Sequence, residues 1–189
     1  MGGTRQAREG ARRLARLFHY RWAAAVLAEL HRRRGARAAA LVHRLGAPRD
    51  TVRRTLEGLA AMGLARRNPG YGHPLRPEWI LTAAGERLAP RCGGLLRGIG
   101  DARMEEAARR KWAFPILLAL LDGRDRFSAI GSVIPGVTAR ALAQTLRELE
   151  GAGVVRRRVV DDRPPRVVYT ASRSGRRLGP ALRALANVA

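Results

Sequence analysis

Shifted by 90 residues, the chain falls on its own pattern, and this constrains it more than any other feature. Arg21-Trp22 meets Lys111-Trp112, and Leu27 and Leu30 meet Leu117 and Leu120. Thr55-Leu56 then meets Thr145-Leu146, Leu59 meets Leu149, and Gly63 with Arg66-Arg67 meets Gly153 with Arg156-Arg157. Pro74, Arg76, Trp79, Gly85 and Leu88 continue the series on Pro164, Arg166, Tyr169, Gly175 and Leu178, with one single-residue slip between Leu30 and Thr55. A period this long signals two copies of a small domain, each large enough for its own core, rather than a solenoid. The expected domains are 1–97 and 98–189. Domains of this size bury only about 60 to 65% of their unfolded surface, so the copies are expected to support each other.

The 189 residues are 46% hydrophobic and 28% charged, a globular composition. No apolar run approaches the roughly 20 residues of a membrane span, and the arginines of Met1 to Arg16 lead into no apolar leader core. A cytoplasmic protein with no membrane partner is expected. Basic residues number 37 against 15 acidic, a net charge of +22, and all of the basic ones except Lys111 are arginine. Codon bias in a GC-rich genome exchanges lysine for arginine, but it creates no basic excess. That excess calls for a polyanion, nucleic acid above all. Cys92 is the single cysteine, which excludes an intramolecular disulfide and a cysteine-based metal site.

Periodicity is clearest in the second copy. Trp112, Ile116, Leu117, Leu120 and Leu121 have helical spacing, ended by Asp122-Gly123, and a short helix follows over Phe127–Val133. Pro135-Gly136 breaks the chain, Thr138 caps a helix over Ala139–Ala152 with Leu142, Leu146 and Leu149 on its apolar stripe, and Gly153 closes it. Strands over Val154–Val160 and Arg166–Thr170 flank a polar tip, and a last helix spans Ser172–Ala186. The first copy repeats this order: helices over Trp22–Leu30, Ala38–Leu45 and Asp50–Met62, a hairpin of Leu64–Arg67 and Glu78–Leu81 around Asn68–Arg76, and a trailing helix over Thr82–Leu96. Helices over Arg5–Phe18 and Asp101–Arg110 precede the copies. The expected class is mainly α with small β-hairpins (α+β): two tandem winged helix-turn-helix domains forming an intramolecular pseudo-dimer.

One ordered series carries a family resemblance over residues 103–186. It runs from Lys111-Trp112, Leu120-Leu121-Asp122-Gly123 and Arg126-Phe127 through Ile134-Pro135-Gly136-Val137-Thr138 and Leu146-Arg147-Glu148-Leu149-Glu150 to Gly153 and Pro164-Pro165-Arg166-Val167-Val168-Tyr169. It resembles the HxlR-type transcriptional regulators. The first copy is similar, keeping Trp22, Leu56, Gly63, Pro74, Trp79 and Gly85, and lacks a counterpart of the Pro135-Gly136 turn. The resemblance implies a DNA-binding winged helix that dimerises through its flanking helices. Members that sense oxidants or electrophiles carry a cysteine shortly before the Lys-Trp pair, whereas Cys92 lies farther upstream. One copy per chain is usual in that family, and here two are fused.

In a helix-turn-helix the third helix reads base edges while the wing holds phosphates. Opposite the Leu142 stripe lie Arg140, Gln144 and Arg147, with Thr138 and Thr145 nearby; arginine and glutamine suit guanine and adenine. The first copy offers Arg49, Thr51, Arg53 and Arg54, a more charged set. It is expected to be the stronger electrostatic anchor, and the second copy the better base reader. In the first wing the candidates are Arg66, Arg67, Tyr71, His73 and Arg76; in the second, Arg156, Arg157, Arg158, Arg163 and Arg166 stand against a repelling Asp161-Asp162.

Trp22 and Trp112 read as core residues. Phe18, Tyr20 and Phe114 read as packing in preference to an effector pocket. An arginine before Cys92 and two glycines after it would lower its pKa, but the thiol reads as incidental. No metal-ligand spacing surrounds His19, His31, His43 or His73, and no catalytic constellation appears, so neither cofactor nor enzyme activity is expected.

The expected function is a transcriptional regulator that binds double-stranded DNA sequence-specifically at a pseudo-palindromic site, with half-sites roughly 10 bp apart. The interface would come from Thr82–Arg110 and Ser172–Ala186, the chain acting as a monomeric pseudo-dimer or a homodimer, with any small-molecule effector unnamed. The alternatives are a protein-interaction module and a nonspecific DNA- or RNA-binding architectural protein.

Overall fold

A computed structural model describes residues 2–73 and 75–187. The repeat landmark Pro74 lies outside the described residues, as do Met1, Val188 and Ala189. Helix α1 (Gly2–Leu17) is followed by α2 (Ala23–Arg33), α3 (Ala38–Leu45), α4 (Arg49–Ala61), a hairpin of β1 (Ala65–Arg67) and β2 (Trp79–Leu81), and α5 (Ala83–Gly98). The order then recurs as α6 (Ala102–Ala108), α7 (Ala113–Leu121), α8 (Phe127–Val133), α9 (Ala139–Gly151), the hairpin of β3 (Val155–Val160) and β4 (Arg166–Ala171), α10 (Arg173–Arg177) and α11 (Gly179–Ala186). The described chain is therefore mainly helical, with two small antiparallel sheets.

It forms two compact units: an earlier one, Tyr20–Arg97, and a later one that joins residues 2–19 to Gly98–Asn187. These bounds differ from the expected 1–97 and 98–189, because α1 packs against α7, α8 and α11 of the later unit. The cause is α7. Its sequence AFPILLALL is buried from Ala113 to Leu120, and a helix apolar all round must be covered on every side. Helix α1 contributes buried Ala11, Leu14, Ala15 and Leu17, and Phe18 just beyond it meets Phe114 with ring centroids 4.4 Å apart. Gly10 permits the close approach: a Cβ there would stand 3.2 Å from Ala186 Cβ and 3.4 Å from Leu118 Cδ2. By contrast α2 is amphipathic and buries Ala23, Ala24, Val26, Leu27 and Leu30.

Many landmarks of the 90-residue pattern are joint residues. Thr55 Oγ1 donates to Thr51 O at 2.7 Å, and Thr145 Oγ1 to Ala141 O at 2.8 Å. Thr82 Oγ1 donates to Gly63 O at 2.6 Å and Ser172 Oγ to Gly153 O at 2.7 Å, and each hydroxyl accepts from a glycine N–H, Gly85 or Gly175, at 3.2 Å. These glycines lie against the chain that leaves the third helix. A Cβ would stand 2.0 Å from Leu64 O at Gly85 and 2.4 Å from Val154 O at Gly175. The Pro135-Gly136 turn also has a counterpart, contrary to expectation: Gly46 takes φ 59° where Gly136 takes 77°. The turn needs the left-handed glycine, not the proline before it. The slip lies just after α2, where Arg34 takes the left-handed position (φ 57°) that Gly123 fills in the later unit.

Two other expectations are corrected. The helix expected over Ser172–Ala186 is broken into α10 and α11 at Leu178, since Pro180 has no N–H to continue the ladder. Trp22 and Trp112 are half-buried, and Ala23 and Ala113 take the buried places beside them. The Trp112 ring carries Lys111 Nζ 4.4 Å from its centroid.

Candidate nucleic-acid interface

Thr138 caps α9 as its spacing predicts, its hydroxyl accepting the Ala141 N–H at 3.2 Å. Leu142, Thr145, Leu146 and Leu149 turn inward, leaving Arg140, Gln144 and Arg147 exposed on the opposite face. Thr145 therefore does not belong to that face; it is buried and spends its proton on the helix backbone. Gln144 is oriented at both ends of its amide. Nε2 donates to Glu148 Oε1 at 3.0 Å, Oε1 accepts from Arg147 Nη2 at 2.8 Å, and Arg110 Nε holds Glu148 Oε2 at 3.1 Å.

Pro48 leads into α4, which buries Val52, Thr55, Leu56 and Leu59 and exposes Arg49, Arg53 and Arg54, with Thr51 half-buried. Arg53 lies between Glu57 at 3.0 Å and Asp50 at 3.6 Å, and the Glu57 hydrogen bond holds its guanidinium above the ordinary value. Arg49 and Arg54 make no ion pair among the described residues.

The hairpins divide similarly. Arg67 donates to Glu78 and lies over the Trp79 ring, 5.0 Å from its centroid, so it braces the hairpin. Arg66 is exposed opposite Ile80, and Arg76, Tyr71 and His73 are exposed at the tip. In the later hairpin Arg166 pairs with Asp162 at 2.5 Å, Arg163 is exposed at the tip, and Arg156, Arg157 and Arg158 are exposed along β3. A feature missed in the sequence is that Arg173, Arg176 and Arg177 line the same groove as these three. Its signal would have been the R-x-x-R-R run where the hairpin returns.

Phe18 and Phe114 pack together, and Tyr20 lies over Gly58. His31 Nδ1 meets Glu86 at 2.6 Å. Among the described residues no group of three His, Cys, Asp or Glu is placed to hold a metal ion, and no helix is long and apolar enough to cross a membrane. Cys92 is fully buried, and burial pushes its thiol up to about 12, opposite to the lowering its neighbours suggested.

A helix-turn-helix pair exposing arginine and glutamine, followed by a basic two-stranded hairpin, defines a winged helix-turn-helix protein. The chain belongs to the HxlR-like helix-turn-helix family, whose profile matches residues 108–189. It is similar to an uncharacterized HTH-type transcriptional regulator of Methanothermobacter thermautotrophicus (strain Delta H), with 45% identity over 75 residues, 40% of this chain and 57% of the relative. It is also similar to the uncharacterized HTH-type transcriptional regulator YkvN of Bacillus subtilis (strain 168), with 38% identity over 81 residues, 43% of this chain and 69% of the relative. The matched part thus spans only a little over half the length of the first. Among solved structures it is similar to the reduced form of the transcriptional regulator YodB from B. subtilis, with 31% identity and a TM-score of 0.40 over 44% of this chain and 85% of that one.

Proposed function

We propose that this chain is a transcriptional regulator that binds double-stranded DNA sequence-specifically, its two units serving as unequal halves of a pseudo-dimer on a pseudo-palindromic site. The observation that carries this reading is the α9 face, where Arg140, Gln144 and Arg147 stand exposed opposite a buried leucine stripe. Arg140 and Arg147 offer guanidinium forks to guanine, and Gln144 an amide to adenine. Arg49 and Arg54 on α4 supply charge to phosphates, with Thr51 beside them. The printed names of the relatives, HTH-type transcriptional regulators, support the reading. The matching hydroxyl and glycine joints support two copies of one domain, for which half-sites lie about 10 bp apart.

The test is selection of duplexes from genomic fragments, followed by affinity for the selected site against a random duplex. The expected preference is at least about 10³-fold. Equal affinity for every duplex would overturn the reading in favour of an architectural protein, and no binding at moderate salt would overturn it in favour of a protein-interaction module.

A further inference from the structure

The later unit holds a groove of about 1040 Å³ away from the exposed face of α9's first turns. Arg156, Arg157 and Arg158 of β3 line it together with Arg173, Arg176 and Arg177 of α10. All six are exposed, and none pairs with a carboxylate among the described residues. Glu150 is the one acidic residue on the wall. Arg176 Nη1 donates to Ala171 O at 2.7 Å and Arg177 Nη2 to Gly98 O at 3.1 Å, which orients both without neutralising either. The floor is closed by Ser172 and Ser174, whose hydroxyls reach Gly153 O at 2.7 and 2.9 Å.

Codon bias acts on the whole chain, yet this cluster belongs to one unit. At the matching positions of the earlier unit stand Arg66, Arg67, Asn68, Ala83, Glu86 and Arg87, and Arg67 and Glu86 are taken up by Glu78 and His31. Six like charges in one groove repel each other, and a bound polyanion would relieve that repulsion while releasing the counterions that otherwise screen it.

We propose that this groove holds a phosphodiester backbone of duplex DNA outside the bases that α9 reads. A site for a small ligand has an apolar lining with a few fixed polar anchors. Here no aromatic ring lines the wall, and every cation is exposed, which suits a phosphate backbone followed by guanidinium forks. The groove adjoins the C-terminal end of α9, at Glu150 and Gly153. Along the helix axis that is about 15 Å from Arg140. The clamp therefore adds affinity and footprint without adding sequence preference. The choice of DNA as the ligand rests on the regulator reading.

The test uses the full chain with Arg156→Ala, Arg158→Ala and Arg173→Ala combined, since none of the three has a partner within the described residues. Affinity is measured against salt on a selected site and on a random duplex. The slope of log affinity against log salt is expected to shrink by about 2.7 on both duplexes, with the preference between them unchanged. Arg173→Gln alone, which leaves β3 intact, is expected to shrink it by about 0.9. If the wild type prefers its site and neither slope moves, the clamp is wrong and the regulator reading stands. If the slopes move but the wild type shows no preference, the regulator reading fails and the clamp stands. Stoichiometric inorganic triphosphate that duplex DNA does not displace from the groove would overturn the clamp in favour of a small-anion site.

Discussion

The earlier and later units keep the same joints and differ in what covers them. At position 29 of the pattern the earlier unit has Glu29, 9% exposed, with Arg32 at 2.7 Å, Arg33 at 3.1 Å and Arg44 at 3.6 Å. The later unit has Ala119, buried in a helix with no charge at all. Where Tyr20 lies over Gly58 in one, Arg110 and Glu148 form an ion pair in the other. The hydroxyl and glycine joints recur in both units, with Thr82 of one matched by Ser172 of the other. The side-chain cover differs: α7 is apolar and packs against α1, whereas α2 carries a carboxylate clamped by arginines. Both units tie arginines to carboxylates, the earlier one Arg32, Arg33, Arg44, Arg53 and Arg67 and the later one Arg13, Arg109, Arg110, Arg166 and Arg183, but the groove arginines of the later unit meet no carboxylate among the described residues.

The joints are the hardest test of this comparison. Gly85→Ala and Gly175→Ala are each expected to cost about 4 kcal/mol, since a carbonyl must move, and chemical unfolding should show similar losses for both. A loss at only one would break the equivalence. Cover should separate the units. Leu14→Ala is expected to cost about 3 kcal/mol, read as faster amide exchange in α7 with α2 unchanged.

Glu29→Ala should act on the other unit, by about 1 to 2 kcal/mol, because three guanidinium groups lose their carboxylate. Burial alone would raise the Glu29 pKa, but hydrogen bonds and charge from Arg32 and Arg33 outweigh it and hold the carboxyl below the ordinary range. Its stabilisation is therefore complete above the unfolded pKa of about 4.3 and lost as pH falls through the lower folded value. Acid titration of α2 amide exchange should show this loss in the wild type and not in the variant. The smallest effect is at Cys92. With its thiol at about 12, the folded protein should not react with a maleimide at neutral pH while the unfolded chain reacts fully. Its contribution to stability is complete below about pH 8.5, the unfolded value, and is lost as pH rises toward 12.

Elements whose cause is local were legible in the sequence. Thr138 caps α9, the span of α8 and α3 follows their spacing, and Gly63 and Gly153 stand where the third helices end, because capping and periodicity act within a few residues. The destination of α1 was not legible, since its apolar stripe fits any apolar surface and only the fully buried α7 selects one. Thr145 looked like part of the reading face because spacing alone places it near Gln144, whereas its hydroxyl bonds its own helix. Arg53 and Arg67 looked like free charge until their carboxylates came into reach. The arginine groove needs β4 to bring Arg173, Arg176 and Arg177 back beside β3, a juxtaposition no local pattern encodes.

The central claim is that one chain carries two unequal DNA-binding halves. Hydroxyl-radical footprinting of a selected site tests it most directly, run with wild type, with Arg49→Ala and Arg54→Ala, and with Arg140→Ala and Arg147→Ala, at a mass-verified ratio of chain to duplex. The account predicts two protected segments centred about 10 bp apart. The first pair of changes should weaken protection on every sequence, and the second should erase the sequence preference of one segment only. A single protected segment that responds to only one pair of changes would contradict it.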